Sequence, residues 1–405
     1  MEAHRVPRGG SQRLGTVDGD LVVERKGRVD VEGRLVVSGG IRCEGDAEFA
    51  GNVECRRLRL DDGEVDVRGD LTVTDEIEAR DSVLEVSGAL SARRVDVDRR
   101  LRVGGAARAE EFEVGGSLDA GATLTSERVA AGGKLAVAGK TVARRVEAGG
   151  SAQLQDVELD RLEVGGLASV KGGTIRSSIE VGGRFRSEAS LTFGRLEVGG
   201  IAEVAAGSKG GDIEVGGKFS AAGDLAFGKL EVGGIGTLDG NGTGESAEVG
   251  GKLDVRGSLR LTGQAEVGGA IVVGGTLEAS GIDVGGRLEA GRAVVTGSVE
   301  VGGSVATREG LKGGSIRLGR KARASGPLVG GDVRVGVKAR VEDVYGRQVE
   351  IDADTEARKV VGERVRLGDE VVADEVLYTE TVEVGRDVRC RVPPRRVDVL
   401  PTFPI

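Results

Sequence analysis

The 405-residue chain has no tryptophan, two tyrosines, seven phenylalanines and a single histidine, His4. Large globular cores lean on aromatic side chains for buried area, so this chain must bury apolar surface by another route. Cysteine is scarce: Cys43, Cys55 and Cys390 cannot all pair, and none stands in a CxxC. That usage reads as reduced thiols in an intracellular protein. No run of 18 apolar residues occurs, which excludes a long apolar membrane helix. The opening MEAHRVPRGGSQRLG lacks the apolar stretch of a signal peptide. A cytoplasmic location is expected, with association at a membrane surface left open. No basic stripe with interleaved aromatics appears, so nucleic acid is not an expected partner. No GxGxxG links a strand to a helix and no phosphate-binding Lys-Ser/Thr follows a glycine loop. No cofactor, metal or small-molecule substrate is expected.

What the chain does have is glycine, 72 residues of it, with 39 % apolar residues, 30 % charged residues and a net charge of −9. The glycines do not fall every third residue, which excludes collagen. Recurrent Val, Leu and Ile argue against disorder. The motif EVGG recurs instead. Its first position runs Glu113, Ala130, Glu147, Glu163, Glu180 and onward to Asp283 and Glu300, a near-constant interval that marks an internal repeat. Looser copies continue downstream (IRLGRKA, VRVGVKA, VRLGDEV, VEVGRDV) and upstream (TVDGDLVV, DVEGRLVV, RCEGDAEF, DVRGDLTV).

Counting each unit from its Glu, apolar residues gather at positions 2, 6, 8, 12, 14 and 17; in the unit from Glu214 these are Val215, Phe219, Ala221, Leu225, Phe227 and Leu230. Pairs two apart are short strands with one face inward. Three strands per repeat predict an all-β fold: a single-stranded, triangular, parallel β-helix of about 17 residues per coil and about 22 coils. Helical solenoids need a 3.6-residue period, and glycine pairs at this density would penalise each helix. The β-helix is expected over 15–391 as one domain. Residues 1–14 read as a short, basic, flexible head with Arg5, Arg8 and Arg13, and 392–405 as a proline-broken tail. Stacked about 4.8 Å apart, the coils would make a rod of roughly 100 Å.

Inside the coils, large and small residues alternate. Position 14 reads Phe193, Gly210, Phe227, Gly244, and position 6 reads Ala168, Phe185, Ala202, Phe219. Phe185, Phe193, Phe219 and Phe227 are therefore assigned to core packing. The glycine pair marks a corner expected to need positive φ. The glutamate lies between two inward positions and should point outward, in a solvated ladder balanced by Arg184, Lys218, Lys252, Arg287, Arg195 and Lys229. No histidine lies in the coils, where hexapeptide-repeat acyltransferases generally place their base. No long insertion builds a cleft either, so an enzyme is not expected.

The segments GTVDGDLVV (15–23), DVRGDLTV (66–73) and VEVGGSVA (299–306) resemble the glycine and aliphatic run of the bactofilins, though this chain is several times longer than that family's usual core. The resemblance implies a right-handed helix that assembles end to end into filaments without nucleotide. The expected partner is the chain itself, with a membrane surface or cell-envelope component as a further possibility. Unpaired strand edges at the two ends supply the mechanism. Candidate polymerisation residues are Val17, Leu21 and Val22 at the start and Val397, Leu400, Phe403 and Ile405 in the tail. The tail either folds over the last coil or docks on a neighbouring subunit, docking being favoured. The alternative function is a rod-shaped spacer or binding module for a cell-envelope, polysaccharide or membrane partner.

Overall fold

The computed structural model describes residues 3–405. They fall into two units, up to Gly199 and from Gly200 to Ile405. Each is a parallel β-solenoid, and no helix occurs among the described residues. Each coil contributes strand segments to three faces, here called A, B and C. Face A carries the EVGG glutamates, face B follows the glycine pair, and face C precedes the next glutamate.

The side-chain period of two, set by the sequence, stacks like positions on like. In the first unit Val95, Phe112, Val129 and Val146 lie in register on face A. Leu101, Leu118 and Leu135 do so on face B, and Leu90, Ala107 and Leu124 on face C. In the second unit the corresponding files are Leu230, Ala247, Ala265 and Ile282, then Phe219, Gly236, Leu253 and Ile271, then Leu225, Gly242, Leu259 and Leu277. These inward residues are almost wholly buried. Each large aliphatic contributes about 1.5–3 kcal/mol by leaving water, which replaces the missing aromatic core.

The four assigned phenylalanines are buried. Phe219 lies between Ala202 and Gly236, and Phe185 lies beside Ala168. A Cβ added to Gly244 would run into the Phe227 ring. The alternation is local, however. Phe193 sits beside Ile175, and Phe112 sits between Val95 and Val129.

The coils begin earlier than the repeat pattern suggests. His4–Val6 pairs in parallel with Leu21–Val23 on face A, and Ser11–Val17 pairs with the strand Gly27–Glu44. Residues 4–14 thus belong to the first coil, which runs on to Val17, and are not a free head. A single coil is too short to display its period, and Pro7, Gly9 and Gly10 at its corner disguise it. Coil length also varies. A long coil carries the chain from Leu21 to its neighbour Ile41. Shorter and more regular coils carry it from Leu328 to Val344, then to Val360 and Val376.

The corners overturn one expectation. None of the EVGG glycines has positive φ. Their requirement is space: a Cβ on Gly234 would lie 2.5 Å from the carbonyl oxygen of Gly217 in the preceding coil. The Gly234 N–H donates to that same oxygen at 3.1 Å, and the Gly233 N–H donates to the Val215 oxygen at 2.9 Å. Glycine pairs therefore let whole corners stack as a hydrogen-bonded ladder. Where the second glycine is lost, the corner changes kind. Lys321, Lys338, Asp354, Glu370 and Asp387 adopt left-handed φ of 57–61°. The residue after the turn points inward, as Ala322, Ala339, Thr355 and Val371 do, all nearly inaccessible.

Candidate functional site

The glutamate file exists in each unit. Glu147, Glu163 and Glu180 are in register in the first, and Glu231, Glu248, Glu266 and Asp283 in the second. In the first unit arginines from neighbouring rungs reach it: Arg145 Nη2 lies 2.8 Å from Glu163 Oε2, and Arg128 Nη2 lies 3.5 Å from Glu147 Oε2. In the second unit the balance expected from Lys252 and Arg287 is not made. Lys252 pairs with Asp254 at 2.6 Å and Arg287 with Glu289 at 3.6 Å, because cation and carboxylate two positions apart share the outer side of one strand. Among the described residues no group of three or more His, Cys, Asp or Glu is arranged to hold a metal ion.

Two of the three cysteines, Cys43 and Cys55, are buried, and Cys390 is partly exposed. Burial pushes the Cys43 thiol well above its ordinary range, and burial with the nearby Glu54 charge pushes Cys55 up to about 12. Neither presents a thiolate near neutral pH. A shallow trough of about 420 Å³ runs over face A of the second unit, lined by Arg317, Arg334, Gln348, Arg364 and Arg366 among others. Its arginines already face carboxylates: Arg317 faces Glu300, Arg334 faces Glu350 and Asp352, Arg364 faces Glu380, and Arg366 faces Glu350 and Glu383.

The chemistry-bearing features are the edges. At the first coil the His4 N–H donates to the Asp20 oxygen at 2.8 Å. Backbone groups alternate along a strand, so Arg5 presents its N–H and carbonyl to the free side. His4 and Gln12 occupy inward positions, in register with Leu21 and Val29. A 2.9 Å hydrogen bond joins His4 Nε2 to Gln12 Oε1, and Gln12 Nε2 donates to the Arg5 carbonyl at 3.3 Å. The floor of the first coil is thus polar.

At the other edge, residues 381–384 of the strand Val372–Val384 pair with 364–367. No described residue pairs with their far side. Val382 is half-buried there and Val384 is 52 % exposed. The same coil runs on to face B as Arg389–Cys390 and to face C as Arg395–Arg396, the last strand on each of those faces. The last coil therefore ends at face C, and the step of one coil's pitch between that end and its own face A strand is where a further rung would begin.

The chain that would have filled the step goes elsewhere. After Arg396 it leaves the coil and packs on the outside of face C. Val397, Leu400, Phe403 and Ile405 cover Val329, Tyr345, Val361 and Leu377. Phe403 and Tyr345 place their ring centroids 5.5 Å apart at a 50° tilt. Lys312 Nζ donates to the Ile405 carbonyl at 3.4 Å. The tail is neither a lid over the last coil nor a free arm; it is a strap across four coils of its own chain. Proline at 393, 394, 401 and 404 removes the N–H groups a further rung would need.

The seven candidate polymerisation residues are thus placed as follows. Val17 and Leu21 are core residues of the first two coils, Leu21 lying under His4. Val22 points outward and is half-buried beside Arg5. The four tail residues form the strap. The exposed edges are built by Arg5, Gln12, Val382 and Val384 instead. The covered stripe did leave a mark in the sequence: the apolar doublets Leu328-Val329, Val344-Tyr345, Val360-Val361 and Val376-Leu377 interrupt the inward–outward alternation once per coil.

Comparison with family models, with curated proteins and with solved structures gives no match for this chain.

Proposed function

We propose that the chain is a structural scaffold protein that self-associates through its coil ends into filaments, without nucleotide or metal. One observation carries this reading: both terminal coils present strand edges with no described covering element. Such edges are templates for pairing, and natural sheets normally blunt or cover them. Face A of the last coil adds exposed valine to its unpaired backbone. The resemblance in repeat style to the bactofilins points the same way. Analytical ultracentrifugation and negative-stain microscopy of the purified chain test it. Concentration-dependent, nucleotide-independent fibres are expected. Monomer alone at micromolar concentration would sink the proposal.

A further inference from the structure

The two edges differ in chemistry and match in register. On face A the inward pair of the last coil is Val382 and Val384, with Glu383 between them on the outside. On face A of the first coil the inward pair is His4 and Val6, with Arg5 between them on the outside. The rung that would follow face C of the last coil is a face A rung, and the first strand of the chain is a face A strand. Its next strand belongs to face B and would lie over Arg389–Cys390, with face C following over Arg395–Arg396.

Charge selects among the ways two copies could meet. Along the outside of face A, Arg334, Glu350, Arg366 and Glu383 are successive in register. They form an alternating ladder, Arg334 to Glu350 at 3.8 Å, Arg366 to Glu350 at 3.4 Å, and Arg366 to Glu383 at 3.7 Å. The ladder ends on a carboxylate whose far side is open. Arg5 is the cation that continues it, and Arg5 in turn faces Glu24 of its own second coil at 3.8 Å. Joining two first coils would set Arg5 against Arg5, and joining two last coils would set Glu383 against Glu383; like charges directly opposite are unfavourable in a sheet.

Resting on the filament reading above, we infer that the partner of the open step is the first coil of a second copy, docked head to tail. His4, Arg5 and Val6 of one copy then lie beside Val382, Glu383 and Val384 of the next. The Arg5 N–H and the remaining lone pair of its carbonyl, which already accepts from Gln12, take up the unpaired backbone groups of Val382 and Val384, and the filament is polar.

The test uses the full chain carrying Cys390→Ser, since Cys43 and Cys55 are buried. Arg5→Cys and Glu383→Cys are made separately, mixed, assembled and oxidised. The expected product is a disulfide joining position 5 of one copy to position 383 of another, found by peptide mapping. Links joining 5 to 5 and 383 to 383 in intact filaments would overturn the head-to-tail junction and leave the filament reading standing. Absence of any wild-type assembly would overturn both. In parallel, Arg5→Glu or Glu383→Arg alone should raise the concentration needed for assembly about fivefold, and the double reversal should restore it. No effect of either reversal would count against the register.

Discussion

Two kinds of coil are built from one repeat, and they solve the corner problem differently. In coils with the full EVGG motif, as at Gly233 and Gly234, the backbone stays in ordinary conformations and successive corners pack directly on one another. In the coils from Lys321 to Asp387 one residue per coil is forced left-handed, and the next residue turns inward to fill the corner. Thr355 shows how tightly that filler is held. Its hydroxyl donates toward the Gly336 oxygen at 3.1 Å and accepts from the Ala339 N–H at 3.3 Å. The first solution depends on the absence of side chains, the second on a tolerated strain plus an added core residue. Glycine in this protein thus serves proximity more than flexibility.

Substitutions at matched corners should separate the two solutions. The largest effect is expected for Gly234→Ala, whose Cβ has no room beside the Gly217 oxygen. A loss of about 2–3 kcal/mol should appear in denaturant unfolding; an unchanged midpoint would show that the corner stack is loose. Next comes Phe403→Ala, which strips the strap from the left-handed coils only. A loss of about 1–2 kcal/mol is expected, with faster proteolysis after Arg395 and Arg396. Lys338→Gly should go the other way. Relief of a left-handed lysine, less the added freedom of glycine when unfolded, stabilises by about 0.5–1 kcal/mol.

The smallest effect concerns pH. The Arg386 N–H and guanidinium hold the Asp369 carboxyl below the usual carboxylate range. A depressed folded pKa contributes stability above the unfolded value and loses it as pH falls through the folded one. Wild type should therefore lose a small increment of melting temperature below about pH 4 that Asp369→Asn does not lose. Equal acid slopes in the two proteins would remove Asp369 from the account.

The β-helix was legible in the sequence because its signal is repeated. Inward pairs two apart, returning once per coil, specify strands, faces and stacking together, and the buried phenylalanines followed from the same register. Three features escaped for physical reasons. A glycine pair does not reveal whether it supplies positive φ or empty space; only the distance to the preceding coil decides. The first coil was masked because one coil has no period. The strap's path was not legible in the tail's own residues, and its one mark was the apolar doublets of the stripe it covers. The pentapeptide Arg-Arg-Val-Asp-Val occurs at 93–97 and again at 395–399. In the first copy Val95 and Val97 are fully buried in a face A strand, and in the second Val399 is 81 % exposed. Identical residues took different structures because one copy is enclosed by coils above and below and the other borders the open step. Of the edges, the proposed site, the sequence indicated that both ends carry unpaired strands, but Val17, Leu21 and Val22 and the tail residues were singled out where the structure places Arg5, Gln12, Val382 and Val384.

The strap also alters how the coils beneath it open. A solenoid behaves as a one-dimensional chain of nearest-neighbour couplings, so its last coils would ordinarily fray one at a time. Leu400, Phe403 and Ile405 contact side chains spread over four successive coils. Opening any one of these coils then disturbs a contact shared with the rest. In amide hydrogen exchange the coils of Val329, Tyr345, Val361 and Leu377 should report one common opening free energy instead of a gradient toward the end. A short tail laid lengthwise thereby turns the most exposed stretch of the array into a single cooperative block.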